Sequence, residues 1–558
     1  MFTLERSEAK RYILAAATGL VWAAAFPKMG VAGLAWLAPG LILATTLGLD
    51  RGAIFRTAYV AGLAHFLASL YWLLLMPVTF APILAWLALA AYLAFYPALW
   101  ASVCCRLFPA PSVGEPGSLL SSLSRLTSSR WRERLSWALF CAALWVTAEM
   151  IQARLVSGFP WNMLGVSQYR MLPLIQISSI TGVYGVSFLM VWFSVALLCA
   201  GAMLPRSLAA RRLWTAELIA PLLALAAVVT FGLRPFATAT PAAAKLKLAL
   251  IQPSIPQRMI WDPAEAHRRF QQIVQLSEKA LQLGPDVLVW PEAAVPNVLR
   301  FDPTNLAAVT NLVRPHKVWL ILGADDVRWR PEAARETDYD YYNSSFLVSP
   351  EGQLAAHYQK RKLVIFGEYV PFHRWLPFLG KLTGLGSFAP GRQPVTFEMP
   401  NLQVKTSVLI CFEDAFPHLA REHAAEEIAF LLNLTNNGWF GESAAQWQHA
   451  ANAVFRAVEN GLPLVRCTNN GLTCWIDAQG GMHDVYFPGT KDIYGVGFKL
   501  VEVPLRHAEK TSFTFYRQHG DWFGWSCVGF SVCRLGTRRF LKRARALETT
   551  SHDLIVQG

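Results

Sequence analysis

The chain has 558 residues, which at about 150 residues per domain suggests three to four domains. Its 50 Lys plus Arg against 37 Asp plus Glu give a formal charge of +13, with only 16% of residues charged and 54% hydrophobic, and the mean hydropathy is +0.32. A charged fraction this far below the roughly 25% of soluble proteins excludes a disordered chain, a collagen and a wholly soluble globule, though not a soluble domain inside a membrane protein.

Along the chain, apolar runs recur at 12–27, 31–48, 57–75, 82–105, 135–152, 178–204 and 214–233. Each is long enough, or nearly so, to cross about 30 Å of hydrocarbon as a helix. Seven in succession argue against isolated buried core helices. Residues 6–27 have the basic start, apolar middle and small-residue run (Ala23-Ala24-Ala25) of a signal peptide, but the runs that follow favour an uncleaved first span. The Ser-rich 106–134 loop is expected to be mobile. Within the runs ionisable residues are few, and Glu149 is the clearest.

The stretch Thr238–Ala244 (TATPAAA) reads as a linker. Beyond it the pattern changes to alternating elements. Strands are expected at 246–252, 286–290, 317–323, 343–349, 406–411, 428–434 and 463–468. Amphipathic helices are expected at 264–283, 304–314, 416–425 and 445–460. This reads as one α/β domain of roughly 260 residues. A last apolar stretch, Trp522–Cys533, precedes a basic tail.

Lys and Arg set the orientation. With the N-terminus cytoplasmic, nineteen of them fall in cytoplasmic segments and three (Lys28, Arg154, Arg170) in the opposite short loops. That bias predicts both ends inside, an even number of spans, and eight when Trp522–Cys533 is included. The expected division is 1–234 (seven spans), 235–520 (extracytoplasmic domain), 521–536 (last span) and 537–558 (basic cytoplasmic tail). Basic residues beside spans are explained by orientation and anionic lipid, so nucleic acid is not an expected partner.

Nine cysteines are present without a C-x-x-C pair, which gives no support for a zinc ribbon or thioredoxin-type site. Six lie in or beside apolar runs as small hydrophobes. Cys467 and Cys474 are read as core thiols, with a disulfide as the alternative. There is no G-x-S-x-G, G-x-x-x-x-G-K, H-E-x-x-H or dinucleotide fingerprint, and no metal or cofactor is expected.

Three stretches place a reactive group at the end of an expected strand, where α/β domains build their sites: Trp290-Pro291-Glu292, Tyr358-Gln359-Lys360-Arg361-Lys362-Leu363-Val364-Ile365-Phe366-Gly367-Glu368, and Ile410-Cys411-Phe412-Glu413. A thiol, an amine and a carboxylate together suit acyl transfer. The cation favours the thiolate and the oxyanion, and the carboxylate shuttles the proton. Spacing alone leaves other readings open: Glu292 as a strand-end cap, Lys360 as a solvated charge, Cys411 as a core thiol.

These stretches resemble the Glu–Lys–Cys triad of the nitrilase superfamily. Together with Asn436-Asn437-Gly438-Trp439-Phe440-Gly441, Gln448-His449, Arg456-Ala457-Val458-Glu459, Arg466-Cys467-Thr468-Asn469-Asn470-Gly471 and Gly520-Asp521-Trp522-Phe523, they make nearly the whole chain resemble the bacterial apolipoprotein N-acyltransferase family. The resemblance implies a bundle of about eight transmembrane helices plus a nitrilase-like αββα sandwich. It implies Glu292 as general base, Lys360 as oxyanion-stabilising cation and Cys411 as nucleophile. Glu368 would orient Lys360, Phe412 and Glu413 would follow the nucleophile, and Trp261 would be an active-site tryptophan. His449 receives no chemical role.

The implied reaction is ping-pong. A membrane phospholipid acylates Cys411, and the α-amine of a diacylglyceryl-modified lipoprotein takes the acyl group. The implied setting is a monomer in the bacterial inner membrane with its catalytic domain on the periplasmic side. Aromatic residues of 366–379 are candidates for dipping into the interface. The sequence departs from the family pattern at Ile365 (usually Pro), Lys362 (His), Asn437 (Asp), Gln446 (often Pro) and Leu462 (often Arg). Two rivals remain: a membrane-tethered amidohydrolase using the same triad with water as acceptor, and a non-enzymatic scaffold or transporter.

Overall fold

The computed structural model describes residues 2–78, 81–108, 126–203, 211–237, 244–260, 262–329, 339–370, 388–505 and 513–537. The middle of the Ser-rich loop (109–125), the linker (238–243), most of 366–379 and the tail (538–558) lie outside the described residues.

The first part of the chain is helical. Its long helices are Phe2–Ala24, Arg51–Ser69, Ala81–Arg106, Trp131–Gln152, Val183–Met203 and Arg211–Ala237. A further helix occupies 522–537. Among the described residues, four segments are long and apolar enough to cross a membrane: Ala81–Arg106, Trp131–Gln152, Val183–Met203 and Ala216–Phe236. Three of the expected runs are not continuous helices, and in the 57–75 run the helix stops at Ser69 before a 3-10 turn, Tyr71–Leu75. The 31–48 run breaks into a 3-10 turn, Ala32–Trp36, and a short helix, Ala38–Thr46, that starts at Pro39; proline lacks an N–H but suits the first helical turn. The 178–204 run is interrupted at Gly182 (φ +67°) before Val183–Met203 begins. The helix expected at 57–75 begins earlier, at Arg51, because the Asp50 carboxylate accepts from the Ala53 N–H at 2.9 Å and caps it.

Large apolar side chains point outward on these helices, Leu84, Leu99 and Leu223 among them at 54–68% exposure. That is stable only where the solvent is itself apolar. Inside, indoles pack in edge contact, as between Trp22 and Trp145 (5.4 Å) and between Trp100 and Trp145 (4.8 Å). Gly19 lets the first helix approach Arg51–Ser69 closely: a Cβ there would stand 2.1 Å from the Ala61 carbonyl oxygen.

The second part is a two-sheet sandwich. The strands are β1 (Ala244–Gln252), β2 (Val287–Val289), β3 (Val295–Val298), β4 (Trp319–Trp329), β5 (Tyr339–Val348), β6 (Leu354–Gln359), β7 (Thr396–Met399), β8 (Val404–Ile410), β9 (Phe430–Thr435), β10 (Leu464–Thr468), β11 (Cys474–Ile476), β12 (Met482–His483) and β13 (Gly497–Leu505). One sheet runs β13-β1-β2-β4-β5-β6 with β3 beside β4. The other runs β12-β11-β10-β9-β8-β7. The seven expected strands are present. The strands β3, β6, β7 and β11 to β13 are not among those expected; β3, β6, β7, β11 and β12 are two to six residues long, too short to show a period.

Strand alternation builds the layers. Leu248, Val289, Ile321, Val408, Leu432 and Val465 meet between the sheets. Ala249, Ile251, Leu288 and Leu320 face the other way, against the helices Ala266–Leu281 and Pro303–Val313. On the far side, Leu431 and Leu464 join the helix Ala445–Asn460 in one buried cluster with the residues of the helical part. Cys467 and Cys474 are separate buried thiols, so the disulfide alternative is not realised. Burial in apolar surroundings explains both.

Gln448 fastens the two parts. Its Oε1 accepts from the Trp72 and Trp161 indoles at 3.0 and 2.9 Å and from Asn162 Nδ2 at 3.4 Å. Its Nε2 donates to the Pro27 and Ser69 carbonyls at 2.7 and 3.0 Å. An amide is the one side chain that accepts at one end and donates twice at the other. Gln448→Leu leaves these buried groups unpaired and is expected to destabilise the protein by about 3–5 kcal/mol. The check is thermal unfolding in detergent, and an unchanged midpoint would remove the fastening role.

Candidate active site

The site lies where β2, β6 and β8 end. β2 passes through Trp290 and Pro291 to Glu292, whose carboxylate is 8% exposed. The approach of β4 there is close: a Cβ on Gly323 would stand 2.6 Å from the Pro291 oxygen and 2.7 Å from Glu292 Cα. β6 ends at Lys360, 1% exposed, whose N–H donates to the Asn343 carbonyl of β5 at 2.8 Å. β8 ends at Ile410, and Cys411 opens a 3-10 turn with φ +56°. A non-glycine residue held there is strained, as turns that project a reactive side chain often are.

Lys360 is clamped between two carboxylates. Its Nζ donates to Glu292 Oε1 at 3.3 Å and to Glu368 Oε1 at 2.8 Å. The Asn343 amide lies beside it and donates from Nδ2 to both of the same oxygens, at 2.8 and 2.9 Å. Only the NH2 end of that amide can face two carboxylates, which fixes its orientation. The remaining oxygens are also satisfied: Glu292 Oε2 accepts from the Asn436 N–H and Glu368 Oε2 from the Val364 N–H, both at 2.9 Å.

Burial works against the Lys360 charge, but Glu368 and then Glu292 outweigh it and hold the ammonium well above its ordinary range. Burial pushes the Cys411 thiol up to about 12, and the Glu292 charge adds to this while Lys360 opposes it. The resting site therefore holds a thiol and an ammonium. Burial, with the charges of Glu292 and Glu368, also pushes Asp325 up to about 7, which makes it a third carboxyl beside the pair that spacing did not reveal.

The two positions after Cys411 differ in kind. Phe412 is half-buried, with its ring 5.8 Å from Lys360 Nζ and 5.3 Å from the Phe416 ring. Glu413 is fully buried and turned away into the protein. It accepts from the N–H groups of Arg361 (2.8 Å), Lys362 (3.0 Å) and Ile410 (2.8 Å) and from the Tyr358 hydroxyl at 3.0 Å. One carboxylate thus ties the turn after Lys360 to the residue before Cys411. Trp261 lies outside the described residues.

His449, without an expected role, touches the site. Its Nε2 is 2.7 Å from Asp414 Oδ1 and 3.2 Å from the Cys411 carbonyl, which also accepts from Asn433 Nδ2 at 2.8 Å. Burial holds this imidazole below its usual range although Asp414 opposes the shift. Asp414 is itself paired with Arg466. Asn343, Tyr358, Asn433 and Asp414 were not singled out as site residues. The one available signal for Asn343 was an amide inside a strand of otherwise small and aromatic residues. Among the described residues, no three His, Cys, Asp or Glu side chains converge as a metal ion requires.

Residues 247–490 match the carbon-nitrogen hydrolase family model, and residues 18–196 match that of the apolipoprotein N-acyltransferase N-terminal domain. The chain is 35% identical over 542 residues to an apolipoprotein N-acyltransferase of Geobacter metallireducens, covering 95% of each chain. It is 31% identical over 489 residues to that of Brucella melitensis, covering 82% of this chain and 85% of the other. The chain belongs to the apolipoprotein N-acyltransferase family. It is accordingly an acyltransferase and a membrane protein whose second part is a nitrilase-like domain. Among solved structures, an amidase of the nitrilase superfamily from Nesterenkonia aligns with TM-score 0.35 and 17% identity over 48% of this chain and 94% of that one. Nit3 of Saccharomyces cerevisiae aligns with TM-score 0.35 and 20% identity over 51% and 97%.

The departures from the N-acyltransferase pattern leave Glu292, Lys360 and Cys411 in place. Asn437 Oδ1 is 3.1 Å from His449 Nδ1. Gln446 Nε2 donates to the Gly441 carbonyl at 2.5 Å. Ile365 pairs with Tyr369 in an isolated bridge.

Proposed function

We propose that this acyltransferase moves a fatty acyl chain from a membrane phospholipid to the N-terminal α-amine of diacylglyceryl-modified lipoproteins through a thioester on Cys411. The observation that carries this reading is Lys360 held between Glu292 and Glu368 beside the strained Cys411 turn. As Cys411 Sγ attacks the ester carbonyl, its proton passes to Glu292 and the S–C bond forms. The oxyanion develops against Lys360. The C–O bond then breaks, Glu292 returns the proton to the departing glycerol oxygen, and lysophospholipid leaves. In the second half the lipoprotein amine attacks the thioester, Glu292 takes a proton from it, and the thiol re-forms with that proton. Glu368, Asn343 and Glu413 are positioning residues in this scheme, and Phe412 lines the site.

The same reading takes 1–234 and 521–536 as eight spans, 235–520 as a periplasmic catalytic domain on a monomer, and 537–558 as a cytoplasmic tail in the inner membrane. Both substrates then keep their chains in hydrocarbon, since exposing one costs about 0.8 kcal/mol per CH2.

Intact-protein mass spectrometry of detergent-purified enzyme after incubation with phospholipid tests this. We expect one fatty-acyl adduct, labile to hydroxylamine, absent from Cys411→Ala and discharged by a diacylglyceryl-cysteinyl peptide. Discharge by water and not by the peptide would make the enzyme a hydrolase. No adduct on folded protein would refute the thioester.

A further inference from the structure

Lys362 carries an ammonium that the chemistry above does not use. It is half-buried, and among the described residues its Nζ has no hydrogen-bond or ion-pair partner; its one contact is the face of the Phe416 ring at 4.8 Å. Its backbone is fixed, because its N–H donates to Glu413 at 3.0 Å. An ammonium taken partly out of water without an anion is costly, and burial lowers its pKa accordingly.

The Glu413 carboxylate acts favourably on this charge without outweighing burial, and its oxygens are already engaged by three backbone N–H groups and the Tyr358 hydroxyl. Arg154, at the end of the helix Trp131–Gln152, is near enough for its charge to act on Lys362. The nearby acids are already engaged: Asp521 pairs with Arg154, and Glu422 with Arg361 at 2.6 Å. His418 adds a buried Nδ1 without a partner, and burial, then Arg154, push it down to about 4, so it is a neutral polar group there.

The position is the seam between the two parts of the protein. Phe416 is buried in the apolar cluster of the helical part, and Phe412 packs against that cluster. The rings of Phe416 and Phe412 meet edge to face at 5.3 Å, with Lys362 over the first and Lys360 over the second. Two cations therefore flank one aromatic pair. One belongs to the carboxylate clamp. The other is free to meet an anion.

We propose that Lys362, with Arg154 behind it, binds the phosphate of the acyl-donor phospholipid, so that the lipid lies across the Phe412–Phe416 pair with its ester at Lys360 and Cys411. This rests on the phospholipid-donor reading and adds the subsite that would select it. A lysine keeps its charge at neutral pH where the family's more usual histidine would be largely neutral. The subsite is thus a specificity feature of this chain.

The test compares two acyl donors on the native enzyme, Lys362→Met and Lys362→Arg: a phospholipid, and a p-nitrophenyl ester of the same fatty acid, which has no phosphate. Lys362→Met is expected to raise KM for the phospholipid about tenfold, the loss of one charge-assisted contact, with kcat and ester turnover within about twofold of native. Lys362→Arg should restore the phospholipid KM. Equal losses on both donors would mean a structural role and overturn the subsite, as would an unchanged phospholipid KM in Lys362→Met. A native enzyme acylated by the ester and never by phospholipid would overturn the donor reading along with it.

Discussion

Lys360→Met is expected to reduce acylation of Cys411 by about 10³-fold or more and to destabilise the fold by about 3–5 kcal/mol. Two effects combine. The oxyanion loses its cation, and Glu292 and Glu368, both nearly buried, are left facing each other with Asn343 as their only shared donor among the described residues. A buried pair that loses one partner leaves an uncompensated charge, which is why truncation costs more than the pair contributes. Hydroxylamine-labile adduct formed per second measures the first effect, and thermal unfolding in detergent the second. The thiol provides an independent check. Burial chiefly and Glu292 next hold it up near 12, with Lys360 opposing them, so the alkylation rate of native Cys411 should keep rising above pH 9. Removing the cation must move the half-maximal pH further up. Acylation within tenfold of native, or a half-maximal pH that falls, would exclude Lys360 as the stabilising cation.

Glu413→Gln is the second large effect, and it tests positioning without touching the reacting atoms. The native carboxylate accepts from three backbone N–H groups and the Tyr358 hydroxyl. An amide has one accepting end. Its NH2 must face either Ile410 N–H or the Arg361 and Lys362 N–H groups, so at least one buried donor loses its partner and meets another donor. The expected loss is about 3 kcal/mol in stability. Acylation should fall by about 10²-fold through displacement of the turns carrying Lys360 and Cys411. Because the displaced groups act on the transition state, kcat should fall while KM for the donor stays near native. A KM increase with kcat unchanged would assign Glu413 to substrate binding instead.

Much of this site was legible before any coordinates. Glu292 and Cys411 each follow a short β-rich apolar run, and the end of a strand is where an α/β domain presents chemistry; Lys360 follows β6, whose sequence carries no such pattern. Glu368 came only from the resemblance of the Tyr358–Glu368 stretch to the family's motif, and the structure places its carboxylate on Lys360. Glu413 was found as a site residue, but nothing in its position after Cys411 indicated that its carboxylate points inward to hold two segments of backbone. Asn343, Asn433 and Asp414 were missed for a related reason. Each matters through what lies opposite it, and a single polar residue within a strand (Asn343, Asn433) or a short turn (Asp414) has no periodic signature.

The helical part shows the same limit. Hydropathy located the apolar runs, yet the break of 31–48 at Pro39 and the restart after Gly182 are set by local backbone chemistry within those runs. Hydropathy had no means of picking out Gln448, whose partners are Pro27, Ser69, Trp72 and Trp161.

What the sequence determined by itself is what nearest neighbours along the chain determine. That covers which stretches are apolar at the period of a helix or a strand, where strands end in reactive side chains, and the family to which those motifs belong. The tertiary structure decided the partners. Glu292 and Lys360 are 68 residues apart and Gln448 and Pro27 are 421 apart, so their hydrogen bonds depend on strand register and on how the sandwich seats on the helices. Burial decided the rest, because the charge state of Cys411 and Lys360 is set by how much water the fold removes and which charges it leaves beside them.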